Sequence, residues 1–370
     1  VSRPVTVPLT VTLLLGLTGA TVTGTTGTAA AQSRCDTPVT GEPLPVDVPL
    51  PHRLSTGAGV PVLLIDTGVA VPGATGDRDS CVLHGTAVAG VLRTVAPDAG
   101  IRSVRQDPVR GTVADLVTAL EDAAEAGRRD GLRIVNMSLV ACEDTAELRH
   151  AVDEVTAAGV LMVASAGNTG QCGDGQAPFP ASLPQVLTVG AVDPRTPDAT
   201  SVAELRAGRQ VADYSVTGPW VDLHAPGGPV SAVLGGDADG TGELTVVGSP
   251  GPFTGTSFAA PVVSAAAALV WQVRPELGSA EVRDLLLATA QPGPAPVVDP
   301  AAAVAAALDG PPVPRPRDAP WPDAVPVVRA SPGRPDLRLP LVLGAVVLAA
   351  VLGAAVLCRP GRHRRPRRAQ

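Results

Sequence analysis

From residue 60 onward the chain alternates short apolar runs with longer stretches of helical period. The runs Val60 to Ile65, Ile134 to Leu139, Val160 to Ala164 and Val186 to Val192 are largely apolar on consecutive positions, as strands covered on both faces are, and a shorter one, Ile101 to Val104, is apolar at its two ends. Between them, His84 to Leu92, Val113 to Ala126 and Glu147 to Ala158 carry apolar residues at helical spacing. Strand, helix, strand in repetition predicts an α/β fold with a parallel sheet and helices on both faces. Such folds bind ligands at the carboxyl ends of their strands. A long Ala/Val helix from about Ser257 to Val273, a second from about Ser279 to Ala290 and a short one at Pro300 to Leu308 close a domain spanning residues 60–309.

The flanks follow other patterns. Residues 1–31 hold an apolar run, Val5 to Ala20, behind Arg3, then a Thr/Gly-rich stretch ending in Ala29-Ala30-Ala31. This reads as a secretory signal cleaved after Ala31. Gln32 to Gly59 contains prolines 38, 43, 45, 49 and 51 and no helix or strand period, so an extended arm is expected. Gly310 to Arg338 has nine prolines in 29 residues, the composition of a stiff spacer. Leu339 to Cys358 is 20 residues without a charge and predicts one transmembrane helix. Arg359, Arg362, Arg364, Arg365, Arg367 and Arg368 in the tail at 359–370 put that end in the cytoplasm and the rest outside it.

Composition sharpens this picture in two ways. Hydrophobic residues make up 45% of the chain but aromatics only 2%, so Ala, Val and Leu must build a closely packed core. Net charge is −7 despite the basic tail, which argues against nucleic acid as a partner. Cys35, Cys81, Cys142 and Cys172 all fall in the exported part, where an even number predicts two disulfides with three possible connectivities. Cys358 sits at the inner membrane edge as an unpaired thiol. No cluster of Asp and Asn oxygens stands out, so neither a metal nor a cofactor is expected. His52, His150, His224 and His363 show no partner pattern and default to surface or core roles.

Three segments carry the residue types of nucleophilic catalysis. Asp66, in Ile65-Asp66-Thr67-Gly68, ends the first apolar strand, where a carboxylate can accept from an imidazole N–H. His84 opens a helix with Gly85-Thr86-Ala87-Val88-Ala89-Gly90, whose small residues allow close approach to the sheet. Neutral histidine, with an ordinary pKa of about 6.5, is the usual general base near neutral pH. Ser257 stands at the start of the long Ala/Val helix, where backbone N–H groups and the helix dipole favour an oxyanion. Singly, each has a plain reading: a turn carboxylate, a half-buried histidine, a capping serine. Together, in the order Asp, His, Ser on a parallel α/β framework, they form the constellation of a serine hydrolase.

These segments, with Val62-Leu63-Leu64 before Asp66 and Phe258-Ala259-Ala260-Pro261 after Ser257, resemble the three signatures of the subtilases, and the resemblance runs from Val60 to about Leu308. It implies a subtilisin-like sheet and a serine endopeptidase acting on protein or peptide. Val163-Ala164-Ser165-Ala166-Gly167-Asn168 resembles the subtilase strand ending in the oxyanion-hole asparagine, which assigns that role to Asn168. The substrate cleft of the family is implied at Ser138, Leu139 and Val140 and at Ser165, Ala166 and Gly167; Val140 stands where subtilases generally have glycine and could narrow access. Tyr214-Ser215-Val216-Thr217-Gly218-Pro219-Trp220 with the run to Gly227, alanine at 87, the cysteine-bearing arm, the proline spacer and the single span together resemble the mycosins. Mycosins are membrane-anchored subtilases associated with type VII secretion. That branch implies a disulfide from Cys35 to Cys81 and leaves Cys142 with Cys172. It also implies secretion-complex subunits as partners, a catalytic domain outside the cytoplasm, and an alternative, non-enzymatic role stabilising the complex.

Overall fold

Apolar strands that need cover on both faces find it here in a seven-stranded sheet between two layers of helices. The computed structural model describes residues 39–40, 46, 48–78, 83–107, 111–173, 175–193, 210–235, 244–247, 252–293 and 295–310. The signal at 1–31, Cys35, Cys81, the spacer beyond 310, the span at 339–358 with Cys358, and the tail at 359–370 lie outside the described residues. The strands are β1 (Val39–Thr40), β2 (Pro61–Asp66), β3 (Thr75–Gly76), β4 (Gly100–Arg105), β5 (Ile134–Met137), β6 (Leu161–Ser165), β7 (Leu187–Val192), β8 (Leu223–Pro226), β9 (Ala232–Gly235) and β10 (Leu244–Val247). The helices are α1 (His84–Val95), α2 (Val113–Asp130), α3 (Ala146–Ala157), α4 (Thr256–Val273), α5 (Ser279–Thr289) and α6 (Pro300–Asp309).

The main sheet runs β3-β4-β2-β5-β6-β7-β8, parallel at every pairing. Side chains of a strand alternate between faces. Accordingly Val62 and Leu64 of β2 join a core with α1, α4, α5 and α6, while Leu63 and Ile65 join one with α2 and α3. At the sheet's centre Leu64 pairs with Asn136, and Asn136 with Val163. Helix α4 is buried from Thr256 to Trp271. Its alanines at 259, 260 and 265 to 268 let it lie close against the strands, which is how a chain poor in aromatic rings fills its interior.

The sequence-derived elements fall within a few residues of the observed ones, and the departures have physical causes. Helix α2 runs through Gly127 to Asp130 instead of stopping at Ala126. Gly127 is a contact residue: a Cβ there would lie 2.5 Å from Val160 Cγ2. The helix ends at Gly131, whose φ of 70° suits glycine. Strand β5 ends at Met137, two residues early, because Ser138 turns toward the start of α4. The arm was expected to lack strands, yet β1 pairs antiparallel with β10, which pairs antiparallel with β9. Extended backbone in the arm finds an edge that the sequence reading did not include. The end of the arm is fastened to α4. Gln272 Oε1 accepts from the N–H groups of Thr56 and Gly57, both at 2.7 Å.

Candidate active site

Asp66 is the last residue of β2, and its side chain is 1% exposed. Oδ1 accepts from the Thr67 N–H at 2.7 Å and from His84 Nδ1 at 2.8 Å. A carboxylate only accepts, so Nδ1 carries the hydrogen and the neutral ring keeps its lone pair on Nε2. That tautomer is the one a general base needs. The sequence brings His84 here through small residues. A Cβ on Gly85 would stand 2.4 Å from Gly68 O and 2.9 Å from Asp66 Oδ1, so only glycine lets α1 start this close to the carboxylate. Thr67 Oγ1 accepts the Gly85 N–H at 3.0 Å, and Thr86 Oγ1 accepts the Ala70 N–H at 3.0 Å, stitching the loop after β2 to the start of α1.

Ser257 lies in the first turn of α4. Gly255 occupies the N-cap position and no side chain caps the helix, so the capping reading of Ser257 is corrected: the helix begins one residue earlier, at Thr256. Ser257 is 8% exposed, and its Oγ donates to Ser138 O at 3.3 Å. The His84 ring centroid is 5.2 Å from that of the following residue, Phe258.

Asn168 follows β6 past Gly167, which takes the left-handed turn at φ 93°. Its Oδ1 accepts from Thr256 N at 3.0 Å and Thr256 Oγ1 at 3.1 Å. A backbone N–H can only donate, so the oxygen must face Thr256, which fixes the amide's orientation and reserves Nδ2 as a donor. A Cβ on Gly255 would come within 3.2 Å of that nitrogen, so the glycine before Thr256 leaves room for it.

Asp66, His84, Asn168 and Ser257 all line one cavity of about 870 Å³ at the carboxyl ends of the strands. Of the residues implied for the substrate cleft, Ser138, Leu139 and Val140 line it too. Ser165, Ala166 and Gly167 do not; they are buried behind it, and Val140 Cγ1 lies 3.3 Å from where a Cβ on Gly167 would be. Cys142, which also lines the cavity, forms a disulfide with Cys172, bracing the loop after Asn168. Sequence reasoning missed the role of Thr256, whose N–H and hydroxyl hold the Asn168 amide.

Residues 64–310 match the model of the Subtilase family, Peptidase_S8. Mycosin-1 of Mycobacterium tuberculosis is 32% identical over 85% of this chain and 83% of its own length. Mycosin-4 of the same organism is 34% identical over 84% of this chain and 80% of its own. A solved structure of the serine protease MycP1, described as an essential component of the type VII (ESX-1) secretion system, superposes with a TM-score of 0.55 at 30% identity, covering 74% of this chain and 93% of its own. The chain belongs to the subtilase family and is a subtilisin-like serine endopeptidase of the mycosin type.

Proposed function

We propose that this endopeptidase works through Ser257 as nucleophile, His84 as general base and Asp66 as the group that orients it. The observation that carries the reading is the 2.8 Å bond from His84 Nδ1 to Asp66 Oδ1 in the cavity shared with Ser257 and Asn168. His84 Nε2 takes the Ser257 hydroxyl proton as Oγ attacks the scissile carbonyl. Asn168 Nδ2 and the Ser257 N–H donate to the tetrahedral oxyanion. The imidazolium, stabilised by the buried Asp66 carboxylate, returns the proton to the leaving amine as the C–N bond breaks. Water, activated by the same base, then hydrolyses the acyl-enzyme.

The working setting belongs to the same proposal. The uncharged segment Leu339 to Cys358 with arginines on its far side supports a membrane anchor, and the signal at 1–31 supports export of the catalytic domain. The mycosin relatives support a restricted role, cleaving a small set of type VII secretion substrates while in contact with secretion-complex subunits. A second, structural role is favoured by the description of MycP1 as an essential component of its secretion system. Complementing a deletion strain with wild type or Ser257→Ala tests both. Proteins processed only with wild type establish the protease role. Full secretion and unchanged processing with Ser257→Ala at normal abundance would leave the structural role alone standing.

A further inference from the structure

The carbonyl of Ser257 lies four residues before Pro261, so its regular helical partner would be the N–H of residue 261. Proline has no N–H. Inside a helix buried from Thr256 to Trp271, this oxygen needs another donor, and Ser138 Oγ supplies it at 2.7 Å. Having given its proton to a carbonyl, the Ser138 hydroxyl can only accept from its other neighbour, Asn136 Nδ2, at 3.0 Å. That fixes the Asn136 amide, whose Oδ1 then accepts from Ser264 Oγ at 2.8 Å.

Three donations run in one direction from Ser264 to Asn136 to Ser138 to Ser257. Asn136 and Ser264 are 0% exposed and Ser138 5%. Both ends of the relay lie on α4, and its middle is the carboxyl end of β5, so it ties the first three turns of the helix to the sheet. Ser257 Oγ also donates to Ser138 O, so residue 138 grips the serine through backbone and side chain.

We propose that Asn136 is a positioning residue for Ser257. By holding the Ser138 hydroxyl on the carbonyl left open by Pro261, it sets where the Ser257 Oγ and N–H point. The inference rests on Ser257 being the nucleophile. Misplacement by about 1 Å can cost on the order of 10² in rate, and partial loosening costs less.

The test uses the full chain and reads the rate of fluorophosphonate labelling, kcat and KM on a peptide substrate, and the thermal midpoint. Asn136→Ala and Ser138→Ala should each slow labelling and lower kcat about tenfold, ~1.4 kcal/mol of barrier, with KM within about twofold. The double variant should be no slower than either single one, because both break one relay. Pro261→Ala restores an N–H to the Ser257 carbonyl and should shrink the effect of Asn136→Ala to less than about threefold. Ser55→Ala removes a buried hydrogen bond to Leu269 O at the far end of the same helix. It should lower the thermal midpoint and label at the wild-type rate. A wild-type labelling rate for folded Asn136→Ala, or equal slowing by Ser55→Ala at matched loss of midpoint, overturns the inference. If Asn136→Ala does not fold, Ser264→Ala carries the test: slower labelling supports the relay and a wild-type rate overturns it. A wild-type chain that does not label at all overturns the assignment of Ser257 instead.

Discussion

Two cavities of nearly equal size open at opposite ends of the parallel sheet, about 870 Å³ at the carboxyl ends of the strands and about 840 Å³ at the amino ends. Size does not separate them. At the carboxyl ends, chain leaving β2, β5 and β6 meets the first turns of α1 and α4, so Asp66, His84, Asn168 and Ser257 converge. The amino-end cavity is walled by helix termini and by glycines 59, 127, 131 and 159, and three of its polar side chains are committed to structure. Gln272 Oε1 collects donors from the arm, Glu281 accepts the Gly278 N–H at 2.8 Å, and Arg133 donates to Pro275 O at 3.1 Å with its guanidinium 5.7 Å from the Trp271 ring centroid. The lesson is that reactive groups gather where strands end and helices begin, while the other end of the same elements only closes the fold.

Changes at the two ends should therefore fail differently. The largest effect belongs to Ser257→Ala, which should lower peptide hydrolysis by on the order of 10⁶, the scale seen for the serine in subtilisin, with the thermal midpoint almost unmoved. Retained turnover in this variant would break the comparison. Next, Asn168→Ala should lower kcat by about 10² to 10³ with little change in KM; a change confined to KM would remove Asn168 from the oxyanion site. At the other end, Gln272→Ala strands the Thr56 and Gly57 N–H groups and should cost about 2–3 kcal/mol, read in a denaturant titration. Its kcat/KM should stay at the wild-type value, and a loss of activity while folded would blur the division between the ends.

The smallest effect separates two histidines. His224 on β8 is buried, and burial pushes its pKa below the ordinary value, partly offset by the Pro296 backbone. As pH falls, the unfolded chain therefore binds the proton first. Stability should be full above about pH 6.5, the ordinary histidine range, and decline as pH drops toward the lowered value in the fold. Activity should also fall in acid, because an imidazolium at His84 cannot accept the Ser257 proton. His224→Leu should flatten the stability profile and leave the acid limb of kcat in place. Loss of that limb would show that the activity profile merely reports unfolding.

Much of this was legible in the sequence, and what was not shares a cause. Asp66, His84 and Ser257 each sit in a contiguous signature with a glycine one or two positions away, and the central strands are rich in Val, Leu and Ile. Legibility failed wherever a residue's partner is distant along the chain. Thr256 holds Asn168 across 88 residues and Ser264 holds Asn136 across 128, so neither pairing leaves a local pattern. Gly127 looked like a helix end because its reason, contact with Val160, lies on another element. Strand β8 hides in a stretch rich in proline and glycine, and β1 takes its hydrogen bonds from β10, some 200 residues away.

The most direct measurement is to treat the full chain with a fluorophosphonate and map the adduct by mass spectrometry. One phosphonylated residue is expected, Ser257, absent in Ser257→Ala and formed far more slowly in Asp66→Asn. No adduct on the folded chain, or the same labelling in Ser257→Ala, would contradict it.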